Sequence, residues 1–86
     1  MDIIIYFYEQ IDFGLDEIED ALDEALETKG EVTGSGTGES GSNIDIEIIT
    51  EDITKSSALE IIRKALSEFD LPSSTIVEVD GEEYKL

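Results

Sequence analysis

Two stretches of this sequence contain residues whose types and spacing could do chemistry. In the first, Asn43 to Thr50, Ile44, Ile46 and Ile48 alternate with Asp45 and Glu47, a strand pattern that buries one face and turns both carboxylates to the other. A carboxylate pair can hold a divalent cation or act in glycoside hydrolysis. Here no spacing matches a calcium loop such as D-x-[DN]-x-[DN]-G, and a chain of 86 residues leaves little room for a substrate cleft. The expectation is no catalytic residue, no metal and no cofactor.

The second stretch is Gly34-Ser35-Gly36-Thr37-Gly38-Glu39-Ser40-Gly41. Gly36 to Gly41 satisfies G-x-G-x-x-G, a pattern that lets backbone N–H groups approach a phosphate at the start of a helix. A strand pattern follows it instead of a helix, Ser42 and Asn43 stand where a Walker loop needs Lys and then Ser or Thr, and the one charged side chain inside is Glu39. With four glycines and no apolar side chain, residues 34–41 read as a flexible hairpin loop. The alternative is a small-ligand or nucleotide-binding regulatory domain that uses this loop as a lid.

Charge supplies the functional hint. Twenty-three acidic residues against five basic ones leave a formal charge of -18. A field of that sign repels nucleic acid and anionic lipid and steers basic partners toward the surface, so neither nucleic acid nor membrane is expected as a partner. The absence of cysteine and histidine removes disulfides, thiolate ligands, cysteine nucleophiles and the usual general base. No apolar run approaches the roughly 18 residues of a membrane span, and the acidic start lacks the basic region of a signal peptide, which reads as a cytoplasmic protein.

The elements that must position these residues follow from periodicity. Asp2 to Tyr8 is β-branched and aromatic nearly throughout, with Ile3, Ile5 and Phe7 on one face and Ile4, Tyr6 and Tyr8 on the other, as in a central strand. A base-stacking role for Tyr6 and Tyr8 is set aside on charge. Leu15, Ile18, Leu22, Ala25 and Leu26 then predict an amphipathic helix through Thr28, capped by Asp12 and closed by Lys29 and Gly30. Its outward face carries Asp16, Glu19, Asp20, Asp23 and Glu27 without a basic residue before Lys29, so i,i+4 repulsion must be offset by packing or relieved by a basic partner.

Glu31 to Thr33 reads as a short strand entering the loop, and Ile44 to Ile48 as the strand leaving it. Ser57-Ala58-Leu59-Glu60 reads as a capping box for a second helix striped by Ala58, Leu59, Ile62, Ala65, Leu66 and Phe69, which Leu71-Pro72 ends. Thr75 to Val79, the Asp80-Gly81 turn and Glu82 to Leu86 predict a type I′ hairpin with Val77 opposite Tyr84 and Glu78 opposite Glu83.

This order resembles the split βαβ, or ferredoxin-like, layout over residues 1–86, read as one α+β domain: a two-layer sandwich with two helices on one face of an antiparallel sheet and a short C-terminal hairpin strand. The resemblance is of layout alone. The Cys-x-x-Cys of its metal-binding members is absent, its acylphosphatase-like members need a basic loop, and its RNA-binding members are basic where this chain is acidic. What remains is a non-enzymatic interaction module, of the inhibitor or immunity-protein kind, that meets a basic protein surface through Asp16, Glu19, Asp20, Asp23, Glu27, Asp45 and Glu47.

Overall fold

The computed structural model describes residues 1–11, 14–39 and 41–86. Its elements run β1 (Asp2–Phe7), α1 (Leu15–Leu26), β2 (Gly30–Gly38), β3 (Gly41–Ile48), α2 (Lys55–Leu66), β4 (Ile76–Val79) and β5 (Glu82–Lys85). The class is α+β, with the strands in one sheet of order β2-β3-β1-β4-β5, antiparallel at every pairing.

Strand β1 is central because it is apolar on both faces and can use both of its hydrogen-bonding edges. Ile3, Ile5 and Phe7 point inward, joined by Ile44, Ile46 and Ile48 of β3 and by Val77 and Val79 of β4. Both helices cover this one face, α1 through Ile18, Leu22 and Leu26 and α2 through Ala58, Leu59, Ile62, Ala65 and Leu66. Among the described residues, no helix covers the opposite face of the sheet.

Three expectations change. The glycine-rich stretch is strand where a loop was expected from Gly34: β2 continues to Gly38 and pairs with β3, which starts at Gly41. The polar backbone of Gly34 to Gly38 gains partners in Gly41 to Asp45, and an edge strand tolerates residues that bring no side chain to a core. A bulge at Thr33 interrupts the ladder between Val32 and Gly34.

Second, α1 ends at Leu26 rather than Thr28. Glu27 takes φ 55° and its N–H donates to the Asp23 carbonyl at 3.0 Å. Gly30 does not cap the helix but opens β2, where a Cβ would sit 2.8 Å from the Glu47 carbonyl oxygen. Asp12, the expected N-cap, lies outside the described residues; Gly14 holds the N-cap position without a side-chain hydrogen bond.

Third, α2 differs at both ends: its N-cap is Thr54, not Ser57, with Thr54 Oγ1 accepting a hydrogen bond from the Ser57 N–H at 3.1 Å, and the helix stops at Leu66 with Ser67 as C-cap, so that Phe69 and Leu71-Pro72 lie beyond it. The terminal hairpin matches its expected register, with Val77 opposite Tyr84 and Glu78 opposite Glu83, and its turn has Asp80 and Gly81 at positive φ as a type I′ turn requires.

At Gly41 the start of β3 approaches β1 closely. Its φ is 132°, and a Cβ there would collide with the Phe7 carbonyl oxygen. Gly41→Ala is expected to cost about 2 kcal/mol or more, because it adds backbone strain to a clash that only movement of β1 can relieve. Gly38→Ala, facing open space, should stay within about 0.5 kcal/mol of the parent. Urea midpoints of the two variants check this; equal midpoints would show that the β1–β3 approach is not a constraint.

Candidate functional site

Alternation along the strands decides what the uncovered face of the sheet displays. Since Ile3, Ile5 and Phe7 point inward, Asp2, Ile4 and Tyr6 point outward, together with Asn43, Asp45 and Glu47 from β3 and Ile76 and Glu78 from β4. Glu83 and Lys85 of β5 pair with Glu78 and Ile76 on that face. On β2, Glu31 points outward before the bulge, and the extra residue at Thr33 shifts the phase so that Gly34 and Gly36 fall on the same face beyond it.

Three cross-strand rows result. The first joins Glu31, Glu47 and Asp2, with the Asp80 carboxylate at its end accepting the Asp2 N–H at 2.9 Å. The second runs Gly34, Asp45, Ile4, Glu78, Glu83, and the third Gly36, Asn43, Tyr6, Ile76, Lys85. Carboxylates thus stand directly opposite carboxylates at Glu31/Glu47, Asp2/Glu47 and Glu78/Glu83, an arrangement that opposes sheet pairing. Among the described residues the one side-chain ion pair is Lys55 with Glu82 at 3.5 Å, which leaves these rows without an ion-paired cation.

Half-buried Ile4, Tyr6 and Ile76 stand within the second and third rows of this face. The rings of Tyr6 and Tyr8 stack with centroids 6.0 Å apart at 11°. Tyr6 donates its hydroxyl to Glu78 Oε2 at 3.4 Å, and burial, followed by the Glu78 carboxylate, raises its pKa above the ordinary tyrosine value. Asn43 Nδ2 donates to Asp45 Oδ1 at 3.1 Å and orients that carboxylate.

The sequence-predicted residues separate into two groups. Asp45 and Glu47 lie on this uncovered face. Asp16, Glu19, Asp20 and Asp23 belong to α1 and Glu27 is its C-cap, in the layer on the other side of the sheet. Within that group Asp23 has a structural contact, its Oδ1 accepting the Val32 N–H at 3.1 Å, and Glu27 forms the turn that ends the helix. The residues that complete the acidic face, Asp2, Glu31, Glu78 and Glu83, were present in the sequence as the outward positions of alternating strands; the Glu78/Glu83 opposition follows from the local hairpin, whereas those of Glu31 and Asp2 with Glu47 depend on how more distant segments pair.

The glycine stretch borders a cleft of about 400 Å³ lined by Tyr8, Glu9, Thr37, Gly38 and Glu39 among others. Its lining among the described residues holds two carboxylates and no lysine or arginine, and Gly41 opens a strand instead of a helix. That is a poor receptor for a phosphate, which calls for converging N–H groups at a helix N-terminus or a cation. Compared with known proteins, the chain matches no family model, no curated protein and no solved structure.

Glu47 faces a carboxylate on each side, so Glu47→Lys should stabilise the free protein by about 0.5–1 kcal/mol. The gain should shrink as sodium chloride screens the parent's repulsion. Urea denaturation at low and high salt reads both; a destabilised variant would show that Glu47 holds the sheet together by a contact of its own.

The raised pKa of Tyr6 predicts a slope in stability at alkaline pH. The unfolded chain releases the phenol proton first, so the folded state, which retains it, loses stability as pH climbs from about 10 through the raised folded value. Tyr6→Phe should remove part of that loss and leave the part due to Tyr84, whose pKa its hydrogen bond to Glu82 also raises. Urea midpoints measured from about pH 8 to about pH 11 give the comparison; identical slopes would exclude Tyr6 as a source.

Proposed function

We propose that this chain is a small, acidic, non-enzymatic interaction module that docks a basic protein surface, in the manner of an inhibitor or an immunity protein, with the uncovered face of the sheet as the docking surface. The observation that carries this reading is the opposition of carboxylates in cross-strand rows on the face that also displays Tyr6, whose ring stacks on Tyr8. In the free protein these rows cost stability. A partner's lysines and arginines would convert the same repulsion into attraction, and tyrosine faces accept such cations directly.

The acidic residues of α1, Asp16, Glu19, Asp20, Asp23 and Glu27, have a second role in this reading. They lie too far round the molecule to share a flat interface with Asp45 and Glu47, but they add to the long-range field that steers a basic partner. The layout is read as a split βαβ sandwich: β1 lies between β3 and β4, β2 flanks β3, and β5 extends the sheet beyond β4. No helix among the described residues is long and apolar enough to cross a membrane. The reading assigns the protein to the cytoplasm, with neither nucleic acid nor membrane as partner.

The test compares two pairs of charge reversals against a basic protein recovered with the immobilised chain at low salt and released at high salt. Glu47→Lys with Glu83→Lys should slow association by about tenfold or more, with the difference fading as salt rises. Asp20→Lys with Glu24→Lys, on α1, should slow it less. An unchanged association rate for the sheet pair would overturn the docking face, and unchanged rates for both pairs would overturn acidic docking altogether.

A further inference from the structure

The two edges of the sheet are protected very differently. At β5, four residues long, the Arg63 guanidinium donates to the Lys85 carbonyl oxygen at 2.9 Å and Lys55 pairs with Glu82. At β2, the first half is protected by Glu31, by the bulge at Thr33 and by Asp23 accepting the Val32 N–H. Beyond the bulge, Gly34 to Gly38 presents an edge without a single charged side chain, and this is where exposed backbone offers itself to another strand.

We infer that this segment receives an extended, basic segment of a partner protein as an added strand, with lysine or arginine at alternate positions. The inference rests on the docking reading above and names what the partner brings to it. Gly34 and Gly36 face the acidic side of the sheet, so the added strand's side chains on that side meet no side chain of β2. The next ones inward are Asp45 and Asn43: a Cβ on Gly34 would lie 3.9 Å from Asp45 Oδ2, and one on Gly36 would lie 3.3 Å from Asn43 Oδ1. An added strand would run about 10 Å from β3, two strand spacings, with its basic side chains laid flat across the glycines toward the Asp45 carboxylate. Asn43 occupies Asp45 Oδ1 and leaves Oδ2 on the glycine side. A second copy of this chain would bring the same formal charge of -18 to the edge and be repelled.

The experiment uses the whole chain and a synthetic peptide alternating threonine and lysine, equal to β2 in length. At low salt, the amide resonances of Gly34, Ser35, Gly36, Thr37 and Gly38 should shift and their hydrogen exchange should slow. The same peptide N-methylated at alternate residues, which removes its ladder donors, should bind at least tenfold more weakly, and so should one with glutamate in place of lysine. Gly34→Val, which adds a strand-favouring side chain in ordinary contact with Asp45, should stay folded and also bind at least tenfold more weakly. Undiminished binding by the N-methylated peptide or by Gly34→Val overturns strand addition. Shifts confined to Tyr6, Glu78 and Glu83 overturn it while leaving the acidic docking face standing, and no binding of the lysine peptide overturns it whatever the folded partner does. A concentration-dependent dimer whose shifts fall on the same glycines would assign the edge to a second copy and overturn the basic occupant.

Discussion

Ile3, Ile5 and Phe7 form the inner face of β1, and the molecule depends on keeping them from water. Their burial requires β3 and β4 on either side, which supply Ile44, Ile46, Ile48, Val77 and Val79, and then two helices to close the layer above. Removing this apolar surface from water is the favourable term available to offset both chain entropy and the self-repulsion of a formal charge of -18. The mean hydropathy of the chain is close to neutral, so the apolar residues must be concentrated on one side of each element. The inward alternation of every core strand and the stripes on α1 and α2 accomplish that.

Concentrating the apolar residues inward has a direct consequence for the carboxylates. With two helices on one face of the sheet, the other face takes the remaining alternate positions, among them Asp2, Glu31, Asp45, Glu47, Glu78 and Glu83. Sheet pairing then sets them against each other at Glu31/Glu47, Asp2/Glu47 and Glu78/Glu83. Each opposition weakens the free protein a little and makes the same surface more attractive to cations. The cost in stability and the docking proposed for this face thus arise from one arrangement.

The glycines of β2 acquire a meaning only inside that sheet. On the outermost strand they place no demand on a core, and the bulge at Thr33 turns Gly34 and Gly36 to the charged side, where they leave Asp45 approachable from the edge. At Gly41 the absence of a side chain is required by the approach of β3 to the Phe7 carbonyl. Glycine therefore serves two opposed purposes within a few residues, openness at the edge and closeness near the centre.

Much of the architecture was legible in the sequence because it rests on local periodicity. The alternation of Ile3 to Tyr8, the stripe from Leu15 to Leu26, the stripe from Ala58 to Phe69 and the Asp80-Gly81 turn each follow from spacings within one segment, and each element is present, with α2 stopping at Leu66. Asp45 and Glu47 were legible as outward residues for the same reason. The state of Gly34 to Gly38 was not, because glycine has no local preference strong enough to declare a strand; β3 supplied the hydrogen-bond partners that make it one. The cap of α2 reads from the sequence as Ser57, because the S-x-x-E pattern matches a capping box, whereas the helix starts at Lys55 and Thr54 caps it. The Glu78/Glu83 opposition was legible from the hairpin turn, but the row of Glu31, Glu47 and Asp2 was not, for a deeper reason: these residues are far apart along the chain, and their opposition exists only after the strands have been ordered. The sequence by itself determined which residues face in and which face out; the tertiary structure decided which outward residues became neighbours, because strand pairing alone brings their charges within range of one another.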